Sequence, residues 1–405
     1  MEMNKEAPLL PEKVDVLIIG GGIVGVCIAY FLAKKGTGEI CLLERTQLGY
    51  GSTGKCAGGI RVNFSTEINV RLSLLSMELI RDLQEITGID PEFKEVGYLL
   101  LATSRSHWEV MAKSERLLLN LGQKAYLMSR GEIREKWPFL RVGDVVGGIY
   151  TPRDGYAGPH EVLYGFVKAA RALGVNILEG VEVTGFRMSG GVLKAVKTSL
   201  GKDIRTSLVI NAAGPWAADV AKWADVDIPV RPYRRQLFFT SPFQEGIPLK
   251  IPVIIELPKG WYMRREGAGL LLSGPQDRYP SFNEDVDFEG KLWCSKQSIK
   301  RVPALKRADI MRGWAGLYAV SPDHHAILGS FPERPQMVFA NGFSGHGFQH
   351  APAVGQLIAE IISVGRALSL DIHPLRPQRF REGDLIHEPL TALGAGKGLA
   401  GHWGD

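Results

Sequence analysis

Cysteine is scarce in this sequence. There are four, Cys27, Cys41, Cys56 and Cys294, and no two of them form C-x-x-C. The pattern offers no disulfide framework. It reads as free thiols in a reducing compartment, with Cys27 and Cys41 inside core elements. Runs of strongly apolar residues are short of the roughly 20 that a membrane-spanning helix takes. The opening MEMNKEAPLLPEK carries no apolar segment of the kind found in a secretory signal. Long runs of one charge are missing too. The net charge of +5 is spread thinly, which argues against nucleic acid as a partner. The expectation is a cytoplasmic protein, with a peripheral position at a membrane left open by the positive balance. No internal repeat is visible.

What is abundant is glycine, 48 of 405 residues, in a chain otherwise ordinary at 45% apolar and 22% charged. At this length two domains are the default. The glycines tell most in residues 14–45, VDVLIIGGGIVGVCIAYFLAKKGTGEICLLER. Residues 14–19 are an apolar run of strand length. Gly20, Gly22 and Gly25 then form G-x-G-x-x-G, a helical apolar pattern covers 23–35, and a second strand with Ile40, Leu42 and Leu43 ends on Glu44. Alone, the glycine pattern is weak. Between a strand and a helix, with an acid 24 positions after Gly20, it is the dinucleotide fingerprint. Gly20 allows a tight turn, Gly22 leaves room for a pyrophosphate, and Gly25 lets the helix pack closely on the strand. The helix N-terminus offers its N–H groups to the phosphates. Glu44 can accept hydrogen bonds from both ribose hydroxyls and would repel a 2′-phosphate, which disfavours NADP. NAD and FAD are both allowed by this stretch.

GYGSTGKCAGGIRVNF, residues 49–64, follows directly, and its small residues let backbone N–H groups run close to a ligand. The spacing predicts a helix over 67–86 capped by Gly88, a strand over 97–104 and a helix over 107–121. Ser129 and Glu132 form a capping box for a short helix stopped by Pro138. Residues 144–160 read as loop, 161–173 as an amphipathic helix ended by Gly174, and 175–186 as strands. Residues 207–224 read as a buried strand, a turn of small residues at Ala212, Ala213 and Gly214, and a helix. Residues 228–275 read as a separate antiparallel sheet rich in aromatic residues and arginine. A helix over 287–303, a strand over 309–320 and a helix ending near Val364 follow, and the Gly-rich tail from Thr391 reads as mobile. The fold class is α/β. A discontinuous nucleotide-binding domain, residues 1–89, 156–229 and 321–405, lies against a second, antiparallel-sheet α+β domain, 90–155 and 230–320, with the substrate in the cleft between them.

Behind the fingerprint, in order, come GSTGKCAGGIR, NAAGPWA, GWAGLYAVSPDHHAILG and GFSGHGFQHAPAVG. Together they resemble the D-amino acid oxidase-like superfamily of FAD-dependent oxidoreductases over nearly the whole chain. Within it the sequence is most similar to the β subunits of dye-linked L-proline dehydrogenase and sarcosine oxidase. The resemblance implies a Rossmann-like FAD-binding domain of the GR2 type, with FAD extended along it and the isoalloxazine facing the substrate domain. It implies that an amino acid loses a hydride from the carbon next to nitrogen to flavin N5, giving an imine. L-Proline or a related secondary amine such as sarcosine is the expected substrate.

By the same resemblance, cofactor contacts fall at Gly20, Gly22, Ile23, Val24, Glu44, Arg45, Ser52, Thr53, Val183, Ala212, Ala213, Gly214, Trp216, Gly316, Gly345, His346, Gly347, Phe348 and Gln349. Gly345 and Gly347 would let a helix N-terminus approach the side of the flavin where negative charge collects on reduction. Catalytic roles fall to Arg61, Tyr262 and His346. Arg61 matches an arginine that holds the substrate carboxylate, a task suited to its planar fork; a structural arginine is the plain alternative. Tyr262 matches a tyrosine bordering the substrate, against a core aromatic. His346 either contacts the flavin or turns to the backbone.

Departures from the family pattern carry further expectations. Gln349 stands where monomeric sarcosine oxidases have a carboxylate-binding lysine, so that task would pass to Arg61 or Arg264. Leu272 stands where they carry a lysine that promotes reaction with oxygen, which argues for electrons passing to a carrier. Gly316 replaces their flavin-linking cysteine, so FAD is expected to be non-covalent. Pro159, with His160 beside it, stands where heterotetrameric sarcosine oxidases attach FMN to histidine. Covalent FMN is therefore not expected, while FMN at a subunit interface, a partner subunit or a homo-oligomer stays open. Pro322 and Asp323 are placed beside the flavin. The adjacent His324 and His325 are accordingly not read as metal ligands, and no metal is expected. Cys56 reads as a small cofactor-proximal residue, not a redox thiol. Two rival functions remain: an oxidase making hydrogen peroxide, and a non-catalytic FAD-binding subunit or assembly factor.

Overall fold

Two sheets carry the architecture, and the computed structural model describes residues 8–391. The Gly-rich tail beyond Thr391 lies outside the described residues. The fingerprint folds as a strand, Val16–Ile19, a helix, Ile23–Lys34, and a strand, Ile40–Glu44. The first strand is buried throughout, as a strand covered on both faces must be, so it shows a continuous apolar run instead of alternation. These strands belong to a six-stranded sheet in the order Ile327–Gly329, Met337–Asn341, Val209–Asn211, Val16–Ile19, Ile40–Glu44, Asn176–Glu179. Every neighbouring pair is parallel except the edge pair of Ile327–Gly329 with Met337–Asn341. The Ile23–Lys34 helix packs on the long helix Gly347–Val364. At Gly355 an added Cβ would meet the backbone of Cys27 at 2.7 Å, so the two helices cross almost backbone to backbone.

The second sheet has eight strands, in the order Ile310–Val320, Arg231–Thr240, Gly269–Gln276, Trp261–Glu266, Val253–Leu257, Tyr98–Ala102, Gly147–Thr151, Tyr126–Ser129. It departs from the antiparallel expectation at one junction. Val253–Leu257 runs parallel to Tyr98–Ala102, while the other neighbours are antiparallel. That junction joins chain segments far apart in sequence, which local patterning does not report. Residues 144–160, read as loop, in fact supply the strand Gly147–Thr151 and the short strand Gly155–Tyr156. The glycines there answer to packing. A Cβ on Gly147 would strike the ring of Trp108, and one on Gly148 would meet the Leu100 carbonyl at 2.6 Å.

Alternation sorts the side chains of this sheet. Tyr98, Leu100, Tyr262 and Leu271 join the core shared with the parallel sheet, whereas Leu99, Leu101, Met263 and Leu272 pack on the far side. Local signals held at several ends. Ser129 and Glu132 make both bonds of the capping box, and Gly88 closes its helix at φ 73° in the left-handed region. The helix read as 67–86 is divided at Asp82 into Glu67–Arg81 and Leu83–Thr87. All four cysteines are free, and all but Cys56 are buried. Among the described residues no helix is long and apolar enough to cross a membrane.

The Asp323 side chain turns into the protein interior. His324 adopts φ 62°, and this turn directs the Asp323 carboxylate inward to Arg379, at 2.8 and 3.0 Å, with both side chains fully buried. The pair ties the 321–325 turn to the C-terminal segment. Replacing Arg379 by leucine leaves a buried carboxylate without its counter-charge and is expected to cost about 3–5 kcal/mol, read from urea unfolding. Replacing Asp323 by leucine as well is expected to recover much of the loss.

Candidate active site

The carboxyl ends of the parallel strands and one face of the large sheet enclose a cavity of 390 Å³, within the roughly 300–1,000 Å³ typical of small-molecule sites. Every residue singled out from the sequence as catalytic or cofactor-binding lines it. The fingerprint forms one end. Gly20 sits at φ 110°, and a Cβ there would meet the Ala212 carbonyl at 2.5 Å; a Cβ on Gly25 would run into the Gly20 carbonyl oxygen. Gly22 is different. Its backbone is ordinary, and an added Cβ would meet only the Thr53 hydroxyl, at 3.2 Å. A Cβ there would crowd no backbone, and the missing side chain leaves the backbone open on the cavity side. The N–H of Ile23 donates to Thr53 Oγ1 at 3.1 Å, and Val24 lines the next turn.

The Glu44 carboxylate is held at the end of its strand. Oε2 accepts from the Gly21 N–H at 2.8 Å, and Oε1 from the Thr46 N–H and hydroxyl at 2.9 and 3.0 Å. Three of about four lone-pair sites are thus in use, leaving one for a ribose hydroxyl instead of the two expected. The Arg45 guanidinium lies 3.9 Å over the Trp216 ring, which also stacks with Phe282 at 5.6 Å. Val183, Ala212, Ala213 and Gly214 line the middle of the cavity; at Gly214, φ 54°, an added Cβ would meet nothing within 4 Å. The Ser52 hydroxyl donates to the Leu317 carbonyl at 2.6 Å, fastening the Gly/Ser stretch to the large sheet beside Gly316.

At the far end the Gly347–Val364 helix begins, with His346 as its first flanking residue. Ser344 at φ 52° and Gly345 at φ 90° bring the chain past the Tyr318 ring, which an added Cβ on Gly345 would meet at 2.7 Å. Gly347 and Phe348 follow with N–H groups at the helix N-terminus, where partial positive charge gathers. The Gln349 amide is spent inside the protein. Its Oε1 accepts from the Arg61 N–H at 3.2 Å, and its Nε2 donates to the Arg61 carbonyl at 3.2 Å and Ser73 Oγ at 2.9 Å. Burial, with Arg61 close by, holds His346 well below the usual histidine range, so it is a neutral imidazole set edge-on to Phe64 at 4.8 Å.

Arg61 does not present an open fork. Nη1 donates to the Asn63 carbonyl and, at 2.9 Å, to Asn63 Oδ1; Nη2 donates to the Leu390 carbonyl at 2.8 Å; and the plane covers the Phe64 ring. Arg264 is similarly engaged, with Ala57 and Arg265 carbonyls and, at 2.6 Å, the Glu266 carboxylate. The carboxylate task assigned to this pair is therefore not what their hydrogen bonding shows. Leu272 is a second correction: it packs with Phe238, Met263 and Leu270 and does not line the cavity. Tyr262 does line the cavity, together with Tyr98, Tyr318 and Arg235, which the sequence reading missed. Tyr98 and Arg235 lie in strands without a recognisable motif, and only alternation hinted at their facing. Burial raises the phenol pKa of all three tyrosines, keeping them neutral donors. Burial also pushes the Cys56 thiol up to about 11, so it stays protonated. The His325 ring binds the Asp323 carbonyl and Thr66 Oγ1, and among the described residues no three His, Cys, Asp or Glu side chains are grouped to hold a metal ion.

Substituting Gly345 by alanine forces a Cβ onto Tyr318 at a left-handed φ, and FAD affinity is expected to fall about tenfold or more, measured by flavin fluorescence on dilution. Three buried histidines and the half-buried His324 predict acid lability. His324 is lowered to about 4 and His350 to about 3, with His325 and His346 also lowered, all chiefly by burial. Below the unfolded value near 6.5 the unfolded chain takes up protons that the folded one refuses, so stability falls as pH drops from 6.5 toward 4. Asp154 acts oppositely: burial raises it to about 7, so its contribution is present below the unfolded value and is lost as pH rises through 7. Four groups against one set the direction, and urea midpoints measured from pH 7.5 to 5 are expected to decline steadily toward the acid side.

Comparison with known proteins agrees with this geometry. Residues 15–361 match the family model described as FAD dependent oxidoreductase. FAD-dependent oxidoreductase domain-containing protein 1 of Bos taurus is 30% identical over 430 residues, covering 94% of this chain and 87% of its own. The mitochondrial dimethylglycine dehydrogenase of Homo sapiens is 30% identical over 390 residues, covering 91% of this chain but 44% of its own, so this chain corresponds to less than half of that protein. Among solved structures, L-proline dehydrogenase from P. horikoshii is 35% identical and superposes with a TM-score of 0.86 over 93% of this chain and 100% of that one. The chain therefore belongs to the family of FAD-dependent oxidoreductases.

Proposed function

We propose that this protein oxidises the C–N bond of a small amino acid to an imine, with L-proline or a related secondary amine such as sarcosine as substrate and an electron carrier as acceptor. The observation that supports it most is the chemistry of the cavity's far end. A helix N-terminus, a neutral histidine, three neutral tyrosines and three arginines meet there, opposite the nucleotide fingerprint. Bound FAD supplies the acceptor for the hydride.

The chain's own residues do the rest. Gly20, Gly22 and the helix N-terminus that follows them would hold the pyrophosphate, and Glu44 a ribose hydroxyl. Gly316 has no side chain to form a covalent link, and its open side faces Lys55, where a Cβ would meet Lys55 Cβ at 2.9 Å. The N–H groups beside Gly345 and Gly347 lie where they can stabilise negative charge collecting at that end. Because His346 is neutral, this charge would be met by backbone dipoles, without a titrating imidazolium. The cationic surroundings favour the neutral amine of the substrate over its ammonium form, and only the neutral amine has the lone pair that drives hydride loss. Tyr98, Tyr262 and Tyr318 offer ring faces to an apolar substrate and hydroxyls to its polar groups. Since Leu272 lies off the cavity, the carrier reading rests on the similar proteins that are dehydrogenases.

Anaerobic mixing of the FAD-loaded protein with L-proline, D-proline, sarcosine, dimethylglycine and glycine tests this. L-Proline or sarcosine is expected to bleach the visible flavin band. Bleaching by none of the panel would sink the enzymatic reading and favour a non-catalytic FAD-binding subunit. Reoxidation of the bleached protein is expected to be fast with an artificial dye and slow with oxygen, and the reverse order would make it an oxidase.

A further inference from the structure

The cationic side chains lining the cavity are not equivalent. Lys55 is paired with Glu284 at 2.8 Å, and Arg264 with Glu266 at 2.6 Å. Arg45 is exposed and stacked on Trp216. Arg61 is bound through both Nη atoms and has Glu388 and Asp154 as its nearest negative charges. Arg235 is the buried one whose guanidinium is left with neither an ion pair nor a full set of acceptors. It is 2% exposed, and its buried Nε and Nη1 atoms find no acceptor among the described residues. Its Nη2 donates to the Gly260 carbonyl and to Ser273 Oγ at 3.2 Å. Three of the five guanidinium N–H donors are therefore unmatched. The neighbouring Arg234 is fully paired. On the opposite face, that arginine is bound by Asp277 and Asp287.

A buried cation without counter-charge or hydrogen bonds is costly, and structures keep one where a ligand completes it. The neutral Tyr262 ring, 5.6 Å from the guanidinium, offsets only part of that cost. What would complete Arg235 is a small anion able to accept several N–H bonds. The pyrophosphate of the cofactor is not placed to do so, since its glycine cradle belongs to the parallel sheet, whereas Arg235 belongs to the large sheet, paired with Gly316. We infer that Arg235 is the anchor for the substrate carboxylate, the role that the sequence assigned to Arg61. The inference rests on the amino acid reading above. It makes Arg61 a brace: its carbonyl and N–H hold Gln349, and its guanidinium holds Asn63 and the Leu390 carbonyl.

The test uses the FAD-loaded protein and an unreactive probe, tetrahydrofuran-2-carboxylate, with tetrahydrofuran-2-carboxamide as its uncharged partner. Binding is read from the flavin difference spectrum and by calorimetry, without turnover. Wild type is expected to bind the carboxylate and to prefer it over the amide. Arg235→Gln is expected to weaken the carboxylate about 100-fold or more while changing the amide little. Arg235→Lys, which keeps a point charge but not the fork, should recover part of the loss. Equal carboxylate affinity in Arg235→Gln and wild type overturns the inference. So does an equal loss for acid and amide, or weakened FAD retention with unchanged probe binding. If Arg235→Gln does not fold, Arg235→Lys decides alone, and unchanged acid-over-amide preference in it overturns the assignment. Failure of the wild type to be bleached by any amino acid would instead defeat the parent reading, and is seen separately because probe binding needs no turnover.

Discussion

A missing side chain at Gly25 sets the rest of this molecule in place. Because residue 25 has no Cβ, the Ile23–Lys34 helix can rest against the Gly20 carbonyl at the end of the first strand. That contact brings the helix N-terminus to the point where the parallel strands stop, and a phosphate can then be met by unpaired N–H groups. The surrounding groups take their positions from it. Thr53 can accept from Ile23, Glu44 can accept from Gly21, and the Ala212 carbonyl can approach Gly20. A single methyl at residue 25 would separate helix and strand and move each of these groups.

The other half of the site is ordered by charge and burial. The large sheet presents arginines and tyrosines to the cavity, and the long helix presents its N-terminus beside them. Burial keeps the histidines and phenols neutral, so the electrostatic field there comes from guanidinium groups and oriented backbone. Most of those guanidinium groups are satisfied by the protein. The one that is not marks where the protein expects a ligand. The same logic separates functional from structural ions elsewhere. Arg379 with Asp323, and Arg301 with Glu256, are buried pairs that close on each other and hold segments together.

Much of this was legible in the residues themselves. The fingerprint strand, helix and second strand are local patterns of period and glycine spacing, and the capping box at Ser129 and Glu132 is local too. Motifs separated by hundreds of residues converged on one cavity, some at strand ends or a helix start and others, such as Gly316 and Tyr262, within strands of the large sheet. The misreadings share a cause. Gly147 and Gly148 looked like loop residues, but their smallness answers to Trp108 and to the Leu100 carbonyl, partners that sequence does not reveal. Leu272 packs in a different core cluster from its neighbour Leu271, because in a strand one residue reverses the facing. Asp323 lay in a recognisable motif, yet its partner Arg379 is 56 residues away.

By itself the sequence determined a nucleotide-binding βαβ unit, a second sheet and the stretches that would meet at a flavin, because period, spacing and glycine placement act over a few residues. Tertiary structure alone decided which charged groups are free to act. Arg61 and Arg235 are the same residue type, and nothing local distinguishes them. The first is bound by Asn63 and the carbonyl of Leu390, while the second reaches the cavity with donors unmatched. Whether a cation is spent or available depends on which carbonyls and carboxylates folding brings within about 3 Å of it, and those partners come from remote parts of the chain.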